Sequence, residues 1–116
     1  MFKKFFFGLV IAMMALVSAN GGNSFEGLFS EARKFCKRGD FTSAIANYTK
    51  ALNINPKSVE AYNNRGIAYK SMGKMNEAIA DFTKALHIDP KHYSSYYNRA
   101  NTKHELGKFE DAIKDY

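Results

Sequence analysis

Pro56 and Pro90 lie 34 residues apart, and sliding the chain over itself by that interval lays like on like. Glycine recurs at Gly39, Gly73 and Gly107, alanine at Ala44, Ala78 and Ala112, and isoleucine at Ile45, Ile79 and Ile113. Tyr48, Phe82 and Tyr116 keep the same offset, as do Ala51 and Ala85, Leu52 and Leu86, Ile54 and Ile88, and the dipeptides Asn64-Arg65 and Asn98-Arg99. A period of this length is that of a supersecondary unit, which cannot bury its apolar face alone and must stack on its neighbours.

The repeated residues point to a helix-turn-helix unit. Gly39, Gly73 and Gly107 stand where a first helix must stop, since glycine takes the left-handed conformation of a helix C-terminus without penalty. Ala44, Ile45, Tyr48, Ala51 and Leu52 step by one, three, three and one, the spacing of one apolar helical face. Pro56 and Pro90 then forbid continuation of that second helix. The pattern predicts first helices near 25–38, 59–72 and 93–106, and second helices near 41–54, 75–88 and 109–116.

Small residue, aromatic, Gly, Ala-Ile, aromatic, Ala-Leu and Pro on a period of 34 resembles the tetratricopeptide repeat. The resemblance covers residues 25–58, 59–92 and a shorter third unit over 93–116. It implies an all-α fold of antiparallel helical hairpins stacked in a right-handed superhelix, with a concave groove lined by the first helices. It also implies a scaffold that binds a protein or peptide, with no cofactor and no catalysis. The groove faces it implies run through Glu26, Phe29, Ser30, Arg33, Cys36 and Lys37, then Glu60, Asn63, Asn64, Ile67, Lys70 and Ser71, then Ser94, Tyr97, Asn98, Asn101 and His104. Within them Arg33, Lys37, Asn63, Asn64, Lys70, Tyr97, Asn98 and Asn101 are the candidate ligand contacts, with Asn64 and Asn98 a stacked pair of amides offered to a peptide backbone. Chaperone-binding members hold a C-terminal carboxylate with lysines, asparagines and an arginine at set positions. Only Asn64 matches here; Phe29, Arg33, Ser94 and Asn98 stand where Lys, Asn, Lys and Arg belong, so that clamp is not inherited.

Ahead of the repeats, Met1-Phe2-Lys3-Lys4 is a short positive segment, and Phe5–Val17 is an apolar run of 13 residues ending in Val17-Ser18-Ala19. That length falls short of the roughly 20 residues of a membrane-spanning helix and fits an export signal, 1–19, cleaved after Ala19. Residues 20–24 form a leader, and the mature protein is expected in the periplasm or outside the cell. The competing reading is an uncleaved anchor, with Lys3 and Lys4 inside and the repeats tethered to the membrane.

Removing Lys3 and Lys4 lowers the formal charge from +6 to +4, and acidic residues break up the remaining bases, so nucleic acid is not an expected partner. The densest basic cluster, Arg33, Lys34, Lys37 and Arg38, lies in the last turns of a helix, where cations complement the macrodipole. Cys36 is the single cysteine, which excludes an intramolecular disulfide. His87 and His92 lack companion ligands, so no metal is expected, and no nucleophile stands near a base. Lys103, where Phe35 and Tyr69 supply aromatics, suggests a looser or more exposed last unit. The third unit stops at Tyr116 without its Ala-Leu and Pro, from which self-association through an uncapped end, or a longer parent chain, is expected.

Overall fold

The computed structural model describes residues 23–116; the export signal read at 1–19 lies outside them. Six helices follow one another: α1 (Phe25–Lys37), α2 (Phe41–Ile54), α3 (Val59–Ser71), α4 (Met75–Ile88), α5 (Tyr93–Glu105) and α6 (Phe109–Asp115). Consecutive helices pack on each other, giving three stacked hairpins, α1–α2, α3–α4 and α5–α6. Each predicted helix ends within one residue of its observed limit.

The turns inside the hairpins are built alike. Gly39, Gly73 and Gly107 have φ of 78°, 79° and 79°, and their amides donate to Cys36, Lys70 and His104. The next residue's amide closes the wider ring, Asp40 to Phe35 at 2.9 Å, Lys74 to Tyr69 at 2.9 Å and Lys108 to Lys103 at 2.8 Å. Only Asp40 also caps the following helix, accepting from the Ser43 amide and hydroxyl. Between hairpins, Asn55 and Asp89 leave the helix in extended conformation, and each side chain accepts from the amide just beyond the proline, at Lys57 or Lys91.

Packing inside the first two hairpins sets a small residue on the first helix against an aromatic on the second. In the first, Ala32, Ala44 and Tyr48 form a buried cluster flanked by Phe29, Phe35 and Cys36. In the second the small residue is Gly66, and an added Cβ would stand 2.6 Å from Phe82 Cε1. Phe82 is 0 % exposed and has no room to retreat. Gly66→Ala gains about 1 kcal/mol of helix propensity, and overpacking here costs about 1–3 kcal/mol. A net loss is expected, read as a lower urea midpoint with unchanged slope; a midpoint at or above that of the parent chain means that the ring yields.

Neighbouring hairpins are joined by a clamp that recurs with the repeat. Arg65 donates from Nε and Nη2 to the two carboxylate oxygens of Asp81, both at 2.8 Å, and from Nη1 to Thr49 Oγ1 of the preceding hairpin at 3.1 Å. Arg99 does the same to Asp115, at 2.8 and 2.7 Å, and to Thr83 at 3.1 Å. Arg65 lies over the rings of Tyr62 and Tyr69, and Arg99 over Tyr96. Lys103 replaces the second ring, and its ammonium sits 3.2 Å from Asp115 and ties α5 to α6, while the last unit is the more exposed one, as expected, at Phe109, Ile113 and Tyr116. In the first hairpin Glu31 and Asn47 occupy the Arg and Asp positions, and Glu31 pairs with Lys34 at the surface instead.

Candidate functional site

The groove faces of α1, α3 and α5 enclose two clefts that share one wall. The first, about 230 Å³, lies between α1 and α3 and is lined by Arg33, Cys36, Lys37, Tyr48, Asn64 and Ile67. The second, about 430 Å³, lies between α3 and α5 and is lined by Asn63, Ile67, Tyr93, Ser94, Tyr97 and Asn98. Ile67, 40 % exposed, belongs to both and makes them one continuous track.

Cys36, Tyr48 and Asn64 line the first cleft together, close enough for both neighbours to act on the Tyr48 hydroxyl. Burial pushes the Tyr48 phenol up, the nearby Cys36 adds to that, and Asn64 and Arg33 pull the other way. Burial also pushes the Cys36 thiol up from its ordinary value, against a smaller opposing effect of the Tyr48 hydrogen bond. Both groups therefore stay protonated at neutral pH, which leaves Cys36 a thiol there. Arg33 and Lys37 line the same cleft, exposed and without an ion pair among the described residues.

The second cleft is neutral and already networked. Asn63 is buried, and its carbonyl oxygen accepts from the Ser95 hydroxyl at 3.0 Å and the Asn98 amide at 3.1 Å. Ser95 in turn bonds to His92 Nδ1 at 2.7 Å. Asn98 thus pairs with Asn63, where the sequence suggested a stacked pair with Asn64. The Asn98 carbonyl oxygen is left for the groove.

Six of the eight candidate contacts therefore line the track: Arg33, Lys37 and Asn64 in the first cleft, Asn63, Tyr97 and Asn98 in the second. Lys70 lines neither and pairs with Glu105 at 3.2 Å. Asn101 accepts from the Tyr116 hydroxyl. Tyr48 was assigned to the core by its spacing, and its ring is indeed 1 % exposed. Its hydroxyl nonetheless reaches the cleft floor, a role hinted at only by Tyr48 standing where the next repeat has Phe82. Among the described residues no group of three His, Cys, Asp or Glu side chains is placed to hold a metal ion, and no helix is long and apolar enough to cross a membrane.

No curated protein sequence matches the chain. Solved structures do: the first TPR of Spaghetti (RPAP3) bound to the HSP90 peptide SRMEEVD is 29% identical with a TM-score of 0.77, over 79% of this chain and 73% of that one. The TPR2B domain of yeast Sti1, in complex with pHsp70, is 25% identical with a TM-score of 0.77, over 78% of this chain and 73% of that one. MamA, 24% identical with a TM-score of 0.78, shares the fold over 80% of this chain, which spans 54% of MamA's length. Family models described as TPR repeat or tetratricopeptide repeat match residues 32–73, 59–92 and 82–114. With six helices in three hairpins, the recurring glycine turns and these overlapping matches, the chain belongs to the tetratricopeptide-repeat family.

Proposed function

We propose that this protein is an exported, non-enzymatic adaptor that holds an extended peptide along the track formed by α1, α3 and α5. The observation that carries the reading is the continuity of the two clefts across Ile67, with polar groups left over on both sides of it. Similarity to domains whose structures contain HSP90 and pHsp70 ligands supports a peptide as the occupant. Affinity comes from backbone hydrogen bonds to Asn64 and Asn98 and from apolar contact with Ile67 and Tyr97.

The test is capture of peptides from a displayed random library, repeated with Ile67→Glu. Ile67 is exposed, so the variant should fold normally by circular dichroism while putting a charge on the wall common to both clefts. Retention of the selected peptides is expected to fall at least roughly tenfold, the loss of about 1.4 kcal/mol. Undiminished retention would place the ligand elsewhere. Export rests on Met1–Ala19 and predicts that the protein recovered from the producing cell's envelope or medium has the mass of a chain starting at Asn20; an intact Met1 in the membrane fraction supports the anchor instead.

One observation favours a second reading, association of two copies through α6. Phe109, Ile113 and Tyr116 are 54 %, 71 % and 64 % exposed, although Tyr48 and Phe82, the counterparts of Tyr116, are fully buried. On that reading mass in solution rises with concentration, Ile113→Asp abolishes the rise, and Ile67→Glu changes nothing.

A further inference from the structure

Of the four cations near the end of α1, two are engaged away from the groove. Lys34 pairs with Glu31, and the Arg38 guanidinium lies over the Phe35 ring at 6.0 Å. Arg33 and Lys37, one helical turn apart, instead line the first cleft beside the Tyr48 hydroxyl and the Asn64 amide. Placement in the last turns of α1 accounts for cations near its C-terminus; it does not account for two of them lining one concave surface that contains no carboxylate. Ion pairs hold Arg65, Lys70, Arg99 and Lys103, while exposed lysines such as Lys50, Lys57 and Lys84 have none among the described residues, so what sets Arg33 and Lys37 apart is that both line one cleft.

The charge is confined to one wall. Facing it, α3 contributes an amide and an isoleucine, and the second cleft contributes Asn63, Ser94, Asn98 and tyrosines. A chain terminus would be gripped best in a site closed on the far side by further cations, and here the track runs on past Ile67. We propose that the first cleft selects an acidic side chain from the interior of the bound peptide, the carboxylate accepting from Arg33, Lys37 and Asn64 while the backbone continues across Ile67. This rests on the peptide-binding reading above and adds the chemistry of the ligand and the position of its charge. The bonds are charge-assisted and two-sided, so they discriminate a carboxylate from its isosteric amide.

The probe is a set of N-acetylated, C-amidated random octapeptide pools whose fourth residue is glutamate, glutamine or lysine, applied to the immobilised protein. Retention of the glutamate pool is expected to exceed that of the glutamine pool about tenfold at low salt and to lose much of that margin at high salt. Arg33→Gln combined with Lys37→Gln should abolish the margin between the glutamate and glutamine pools with an unchanged circular dichroism spectrum, and a margin that survives would overturn the charge selection. Equal retention of the three pools, with Ile67→Glu still releasing them, would overturn the charge selection and leave the peptide reading standing. Stronger retention of free-acid pools than amidated ones would replace the internal carboxylate by a chain terminus. Failure to retain any pool would overturn both readings.

Discussion

Phe82→Ala is expected to remove most of the stability of the repeat array. The ring is 0 % exposed, packs against the Gly66 backbone, and belongs to the middle hairpin, which contacts both others. Truncation of a buried phenylalanine costs about 3–5 kcal/mol, because the lost transfer energy is joined by that of the cavity left behind. A domain of this size has about 5–15 kcal/mol in total, so the variant should melt at least roughly 12 °C lower. In a stacked array each unit is held by its neighbours, and loosening the central one uncouples the outer two. A broadened transition by circular dichroism is therefore expected with the lower midpoint. Phe82→Leu, which keeps most of the volume, should lose much less. A shift under about 5 °C for the alanine variant would mean that the ring is not the centre of the packing.

The second large effect is expected at Arg65. Its guanidinium and the Asp81 carboxylate have side chains 18 % and 8 % exposed, joined by two bonds of 2.8 Å. The hydrogen bonds to Asp81 raise the Arg65 pKa despite its burial, so the guanidinium stays charged. Arg65→Ala leaves a carboxylate enclosed without its partner, for which about 3–5 kcal/mol is the measured range. It also severs the bond to Thr49, the link to the first hairpin. The double variant Arg65→Ala, Asp81→Ala should recover part of the loss, because no unpaired charge remains. If the single and double variants melt alike, the clamp is not a coupled unit.

The same pair at Arg99 and Asp115 makes a prediction about acid. Burial alone would raise the Asp115 carboxyl, yet the hydrogen bonds from Arg99 and Lys103 outweigh it and hold the pKa below the ordinary 3.8. A depressed folded pKa means that the stabilisation is complete above the unfolded value and is lost as pH falls through the lower folded one. The contribution of α6 should therefore persist at pH 5 and fade below about pH 4.

The turns and helix limits were legible in the sequence because their causes are local. A glycine at positive φ ends α1, α3 and α5, a proline two residues past the last helical residue follows α2 and α4, and steps of three and four set one face of each helix inward. The alternation of small and aromatic residues likewise marked the hairpin cores. Arg65 and Arg99 were visible as a repeated position, but nothing in their spacing told that each binds a residue sixteen further on and one sixteen before. Those partners lie on other helices, and stacking angle and offset decide which side chains meet.

Asn63 and Asn64 show where local reasoning stops. Adjacent residues on a helix point about 100° apart, so the two amides cannot share a direction, and the sequence does not tell which one turns inward. Packing of α5 against the preceding hairpin settles it: Asn63 is enclosed with Ser95 and Asn98, and Asn64 is left at the cleft floor with Tyr48. The sequence by itself determined the periodic helical hairpins and the face on which a groove forms. The tertiary structure alone decided which residues of that face bind one another and which, notably Arg33 and Lys37, have no ion pair among the described residues, because a side chain is free or engaged only relative to neighbours that folding brings from a distance.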